Sequence, residues 1–135
     1  MNKRDDLIPQ LRKEEPLGKI TNGISTEELF QNTTLRPILK FQNILLIELF
    51  LSYATKNKNV FFTLSHEKKC IYIDKVTIAD TAFRNQLIGV IVGLFTVEEY
   101  LEYTKNSSSF NKRITTMLIE RWKSQLQLLV KHPNN

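Results

Sequence analysis

The feature that most constrains this chain's fold is the stretch from Pro37 to about Lys56, in which no helix-breaking residue follows the proline. Its apolar residues cover nearly the whole circumference of a helix. A helix that is apolar on all sides is covered by other elements on several sides. The stretch therefore predicts a central helix, and Glu48 is the single acidic residue between Ile44 and Leu51.

Four further segments predict helices around this one. Ser25–Glu28 has the pattern of a capping box and opens a short helix to about Asn32. A second capping box over Thr96–Glu99 opens another short helix. The segments Ala79–Phe95 and Ser109–Val130 carry apolar residues at helical spacing, and we expect both to pack on the central helix.

Residues 60–74 leave two alternatives open. Val60–Leu64 and Cys70–Asp74 are rich in aromatic and β-branched residues, which suits a hairpin. Ser65 is equally suited to cap a helix that runs to about Ile78. We favour the helix because no Asn-Gly or other glycine turn supports the hairpin.

Composition supports an all-α, single-domain fold of five to six helices. The chain has 4 glycines and 4 prolines in 135 residues, too few for a turn-rich sandwich or barrel. Residues 1–24 show no sustained period, so we expect an irregular N-terminal arm that is flexible or draped over the domain. We expect the helical domain to span residues 25–131 and residues 132–135 to form a frayed tail.

The positive charge is spread along the sequence. The net charge of +5 divides into +1, +1, +1 and +2 over residues 1–24, 25–64, 65–95 and 96–135. A solvated surface has this distribution, whereas a nucleic-acid site concentrates basic residues on one face. The sequence therefore predicts no nucleic-acid partner.

Cysteine and histidine usage argue against a disulfide framework and against a metal site. Cys70 is the single cysteine, which fits a reducing compartment. His66 and His132 do not have the spacing of metal ligands. The charged N-terminus is not followed by an apolar signal core, and no segment approaches the length of a membrane span. We expect a cytoplasmic protein with no cofactor, no metal, no catalytic residue and no membrane association.

Three features are candidates for a functional or packing role. A lone acid such as Glu48 in an apolar helix predicts a buried carboxylate, which most often pairs with a base such as Arg84 or Arg121. Gly89 and Gly93 form a small-residue face that allows close helix approach, within the domain or across a dimer. A polar set is the candidate for binding a small anion or nucleotide, or alternatively for a buried structural network: Arg36, Lys40, Asn43, Arg84, Asn85, Asn111, Lys112 and Arg113.

Three segments together resemble a family of small bacterial helical proteins over residues 26–130: Gln31–Asn43, Phe83–Tyr100 and Asn106–Arg113. The resemblance implies an α-helical domain without an established activity. Members of that family often carry the automatic label "glyoxalase", which implies a metalloenzyme built from βαβββ units with His and Glu ligands. This chain has one histidine outside its tail and mostly helical periodicity.

These features lead to three functional hypotheses. The excess of apolar helix surface for so short a chain favours a non-enzymatic interaction module that self-associates as a homodimer or binds another protein. The polar set gives the alternative of an anion or nucleotide binder. The family label gives a glyoxalase-type metalloenzyme, which the residues favour least.

Overall fold

The computed structural model describes residues 2–12 and 25–133, and no strand occurs among them. The all-α class predicted from the sequence is confirmed. A π-helical turn, Gln31–Leu35, and two 3-10 turns, Val60–Thr63 and Leu126–Leu128, complete the helical segments. The helices are α1 (Lys3–Leu11), α2 (Thr26–Phe30), α3 (Arg36–Phe41), α4 (Asn43–Lys56), α5 (His66–Ala79), α6 (Thr81–Val92), α7 (Val97–Thr104) and α8 (Ser107–Ser124).

The ambiguous residues 60–74 belong mostly to a helix, as we favoured. The Ser65 hydroxyl accepts the amide of Lys68 at 3.3 Å and begins α5. Before it, Lys58 and Asn59 take left-handed backbone angles, with φ of 64° and 59°. Asparagine tolerates that region better than most residues, and the reversal ends α4.

The long helix predicted from Pro37 to Lys56 is divided at Gln42. There the backbone leaves helical geometry, with φ −88° and ψ 3°, and α4 begins at Asn43. The Gln42 side chain donates to the Val90 carbonyl at 3.2 Å, a tertiary contact that the local sequence does not signal.

Pro37 lies inside a helical run that begins at Thr26, rather than at the start of a helix as expected. Proline has no N–H to donate and crowds the preceding turn, so a regular α-helix is strained there. The widened turn Gln31–Leu35 immediately precedes α3 and lets the chain stay helical from Thr26 to Phe41. The strain at the proline is therefore accommodated by a π-helical turn, and the helix is not interrupted there.

Burial on α4 is one-sided. The exposed side carries Ile44, 77% exposed, and Leu45, 46% exposed. We expected other elements to cover this apolar helix on several sides, but the first turn of α4 is exposed. The covered side consists of Leu46, Ile47, Phe50, Leu51 and Ala54.

The chain divides into two compact units, each assembled from separated stretches. Unit 1 comprises Met1–Gln42 and Ile88–Ile114. Its core contains an aromatic cluster whose contacting rings have centroids 4.7–6.1 Å apart, formed by Phe30, Phe95, Tyr103 and Phe110.

Unit 2 comprises Asn43–Leu87 and Thr115–Asn135. It has its own aromatic core, in which Phe50 lies 5.0 Å from Trp122 and 4.8 Å from Phe61, measured between ring centroids. Such contacts add to the free energy of burying the rings.

The N-terminal arm is more regular than expected. Residues 3–11 form α1, capped by the side chain of Asn2, and Ile8 is only 3% exposed. A helix this short is marginal on its own, so contacts with the rest of unit 1 stabilise it. Those distant contacts leave no periodic pattern in the sequence. Residues 13–24 of the predicted arm lie outside the described residues, as do the last two of the predicted tail.

Candidate functional site

Asn43, from the predicted polar set, serves a structural network in unit 2. Its Oδ1 accepts from Arg121 Nε and Gln125 Nε2, both at 2.9 Å, and its Nδ2 donates to Gln125 Oε1 at 2.8 Å. Burial lowers the pKa of Arg121. These bonds tie the start of α4 to the end of α8.

Three other members of the set also have partners within the chain. The Arg84 side chain donates to the carbonyl of Ile78, which closes the turn between α5 and α6. Asn111 accepts the hydroxyl of Tyr103. Arg113 donates to Glu27 Oε2 at 3.4 Å and to the side chain of Gln31. The Arg84 and Asn111 contacts are local in sequence, whereas Arg113 joins α8 to α2 and to the π-helical turn.

The remaining members, Arg36, Lys40, Asn85 and Lys112, are exposed. Asn43, Arg84 and Asn85 belong to unit 2, and the other five belong to unit 1. Four of the eight residues thus have intramolecular partners. Anion binding by the set stays a prediction.

Glu48 is not the buried carboxylate we expected. It is about half exposed, with 49% of its side-chain area accessible, and its partner is His132 Nε2 at 2.7 Å rather than Arg84 or Arg121. The cause is the one-sided burial of α4, since Glu48 follows Ile44 by one turn on the exposed side. The contact also gives His132, from the predicted frayed tail, a defined partner.

The helix-packing role predicted for Gly89 and Gly93 is wrong within the chain. Both are exposed, and a Cβ on Gly89 would meet nothing within 4 Å. A Cβ on Gly93 would lie 3.1 Å from the Gly89 carbonyl, which belongs to the same helix. The spacing reflects the local geometry of α6, and a role across a dimer stays a prediction.

The best-formed polar feature of unit 1 is an ion pair that the sequence analysis missed. Arg12 donates from Nη1 to Glu99 Oε1 at 2.6 Å and from Nη2 to Glu99 Oε2 at 2.9 Å. Only 2% of the Arg12 side chain and 19% of the Glu99 side chain are accessible. A bidentate pair this well covered fixes orientation as well as charge.

The Glu99 carboxylate is held in place by groups other than arginine. Its Oε1 accepts the amide of Thr96 at 2.8 Å, and the Thr96 hydroxyl accepts the amide of Glu99 at 3.1 Å. This is the capping box predicted from the sequence, and it is confirmed. Oε2 also accepts the hydroxyl of Thr34, in the π-helical turn, at 2.8 Å.

The protonation of Glu99 follows from these contacts. Burial raises the pKa of the carboxyl, but hydrogen bonds from Arg12, Thr96 and Thr34 outweigh it, so the pKa is lowered overall. Glu99 is therefore a carboxylate at neutral pH, matched to the charge of Arg12. The capping pattern signalled Glu99, but nothing in the sequence pointed to a partner 87 positions away.

Helix α1 makes further polar contacts at the turn between α6 and α7. Arg4 Nη2 donates to the Gly93 carbonyl at 2.9 Å, and Arg12 Nη1 donates to the Leu94 carbonyl at 3.1 Å. In return, Asp5 Oδ2 accepts the amide of Val97 at 3.0 Å. The arginines thus satisfy carbonyls at the negative end of α6.

Helix α7 has an exposed apolar face beside the buried Tyr103, which packs in unit 1. Val97 is 48% exposed, Tyr100 47% and Leu101 57%, whereas Tyr103, whose ring centroid lies 6.0 Å from that of Tyr100, is only 9% exposed. Positions i, i+3 and i+4 lie side by side on a helix, so the three side chains form one surface. We call this surface the α7 face.

The described residues define an all-α protein with a buried ion pair and an exposed apolar helix face. Among them, no group of three or more His, Cys, Asp and Glu side chains is placed to hold a metal ion. No single described helix has both the length and the apolar character to cross a membrane, although Thr26–Phe41 and Asn43–Lys56 meet that criterion as a bent pair.

No family model, curated protein or solved structure is significantly similar to this chain. The resemblance to the bacterial helical family over residues 26–130 therefore stays a prediction.

Proposed function

We propose that this protein is a non-enzymatic interaction module that forms a homodimer through the α7 face. The observation that carries the proposal is the exposure of Val97, Tyr100 and Leu101 at i, i+3 and i+4. Neighbouring exposed apolar side chains on one helix are a recurrent basis for helix-mediated association. Ile44 and Leu45 on α4 are also exposed together, but one turn later on that side Glu48 carries a charge and pairs with His132.

Charge next to this face favours a second copy as the partner. Glu98 and Lys105 are seven residues apart, so both lie on the same flank of the helix, beside Leu101. In an antiparallel pair related by a two-fold axis, Glu98 of each copy faces Lys105 of the other. Glu98 is exposed, and the Lys105 side chain is 72% accessible while it contacts Glu102, so both can reach across.

The size of the face indicates a weak dimer. Three half-exposed side chains on an eight-residue helix bury far less than the roughly 1,600 Å² of a standard stable interface. Interfaces below about 1,200 Å² belong to transient complexes. We therefore expect a dissociation constant on the order of micromolar or weaker.

The proposal is tested by placing a charge on the face. Leu101→Arg removes the central apolar contact and sets two like charges against each other, so the dimer fraction measured by light scattering falls at least about tenfold. Ile44→Arg is the matched control, because Ile44 is more exposed than Leu101 and lies on α4. A dimer that survives Leu101→Arg but is lost with Ile44→Arg assigns the interface to α4 and overturns the proposal.

A cross-link tests the antiparallel arrangement. In a Cys70→Ser background, Leu101→Cys puts the one thiol close to the two-fold axis, where the copies meet. Mild oxidation then produces a covalent dimer in good yield, whereas Ile44→Cys in the same background does not. Equal yields from the two variants contradict the assignment.

The proposed setting is the bacterial cytoplasm. The single cysteine supports a reducing compartment, and the resemblance to a bacterial family supports the source.

A further inference from the structure

The turn between α6 and α7 has the composition of a guanidinium receptor. The carboxylate of Glu99 and the carbonyl of Leu94 both accept from Arg12, and the carbonyl of Gly93 accepts from Arg4. All three acceptors carry negative charge or stand at the negative end of a helix. The surface is therefore complementary to a helix that presents two arginines.

This receptor is organised by groups outside α1. Thr96 and Thr34 hold the two Glu99 oxygens, each at 2.8 Å. The Gly93 amide bonds to the Gly89 carbonyl at 2.8 Å, which fixes the end of α6. A site whose acceptors are positioned in advance needs little reorganisation to bind a new ligand.

Helix α1 occupies the site mainly through charge. Of its nine residues, Ile8 alone is buried, while Leu7 and Leu11 are 45% and 49% exposed. One buried isoleucine stabilises the docked helix much less than a full apolar stripe does. Helix α1 is therefore held mainly by polar contacts at its surface, as a bound peptide is, rather than by burial in the core.

We propose that the α6–α7 turn is a binding site for an arginine-bearing helix, occupied within the chain by α1 and open in trans to the same helix of a second copy. Exchange of an identical element is a low-cost route between a closed monomer and a dimer. This inference rests on the contacts of Arg4, Arg12 and Glu99 and is independent of the α7 face.

The test uses the full chain with Arg4→Ser and Arg12→Ser, which vacate the site, and a synthetic peptide of residues 2–12 as the probe. Amide chemical shifts of Leu94, Val97 and Glu99 then change saturably with peptide up to about 5 mM, the range of effective concentrations of a tethered segment. The wild-type chain binds at least about tenfold more weakly, because its own α1 competes.

Two controls make the result specific. A peptide with glutamine at both arginine positions causes no such shifts, and Glu99→Gln added to the vacated chain weakens binding of the native peptide at least about tenfold. If the folded, vacated chain shows no saturable shifts, or responds equally to both peptides, the proposal is wrong. If the double serine variant does not fold, Arg4→Ser with Arg12→Lys replaces it, since lysine keeps one charge on Glu99 but loses the bidentate bond and so weakens the hold of α1 on the site. The native peptide then binds this chain more tightly than it binds the wild type, and equal binding overturns the proposal.

Discussion

At the scale of single residues, Glu99 links three parts of unit 1. Its carboxylate caps α7, accepts from Thr34 in the π-helical turn and pairs with Arg12 beyond α1. Loss of that charge removes the carboxylate to which both Nη atoms of a guanidinium covered on all but 2% of its surface donate. Removing one partner of a buried ion pair is strongly destabilising.

Glu99→Gln is therefore expected to lower the free energy of unfolding by about 3 kcal/mol, measured in urea at pH 7. The double variant Arg12→Gln/Glu99→Gln recovers part of the loss, because it removes both charges of the ion pair together. A double variant no more stable than Glu99→Gln alone contradicts a direct coupling between the two residues.

The lowered pKa of Glu99 also predicts how stability depends on pH. A carboxyl with a lower pKa in the folded state contributes stability above its ordinary value of 4.5 and loses it as the pH falls through the folded pKa. The fall in stability from pH 5 to acid is thus shallower for Glu99→Gln than for the wild type. If acid denaturation gives the same pH dependence of stability for Glu99→Gln and the wild type, the Glu99 carboxylate does not contribute in this way.

Tyr53 gives the opposite dependence at high pH. Burial and a 3.0 Å hydrogen bond to Asp80 raise its pKa from 10.0 to about 12. The folded state favours the neutral phenol, so this contribution is complete below pH 10 and is lost as the pH rises towards 12. Tyr53→Phe keeps the ring stacked on Phe83 at 4.1 Å and flattens this alkaline loss. Denaturation at pH 9 and pH 11 measures the difference, and an unchanged slope would show that Tyr53 does not titrate in the fold.

At the scale of helices, local sequence rules predicted starting points well. The serine cap of α5 and the capping box of α7 are both present. Ends and interruptions were predicted less well. The break at Gln42 and the π-helical turn before Pro37 accompany contacts with residues far along the chain, which no local pattern records.

The two glycines near the end of α6 provide a matched pair of substitutions. Gly89→Ala is expected to raise stability by about 0.5–1 kcal/mol, because the added methyl group has open space and alanine favours helix. Gly93→Ala gains less or destabilises, since its Cβ would lie 3.1 Å from a backbone oxygen. Thermal unfolding ranks the two variants, and light scattering on Gly89→Ala checks the dimer. Loss of the dimer there would place the glycine face, rather than the α7 face, at the interface.

At the scale of the whole molecule, the two units carry different net charges. Unit 2 carries nine basic and five acidic side chains, whereas unit 1 carries ten and nine. Most of the net +5 therefore belongs to unit 2, although successive segments of the sequence share it almost evenly. Each unit combines stretches that are far apart in the sequence, so counting charge along the sequence could not reveal the difference between the units.

The candidate surfaces were predictable only in part for a similar reason. The sequence indicated an excess of apolar helix surface but placed it on the long central stretch, where Glu48 was expected to be buried. The α7 face contains ordinary residues of a short amphipathic helix, and only its burial pattern shows which side is uncovered. Arg12 belonged to a segment without periodicity, so its pairing with Glu99 depended entirely on tertiary structure.

The most direct test of the central claim is sedimentation velocity of the wild-type chain between about 1 μM and 1 mM, the range that brackets a weak dimer. We predict a rise in mass from that of one chain, 15.8 kDa, towards twice that value, and a much smaller rise for Leu101→Arg, in which only exchange of α1 can pair two chains. A wild-type mass that stays at one chain over the whole range, or an equal rise in Leu101→Arg, would contradict this prediction.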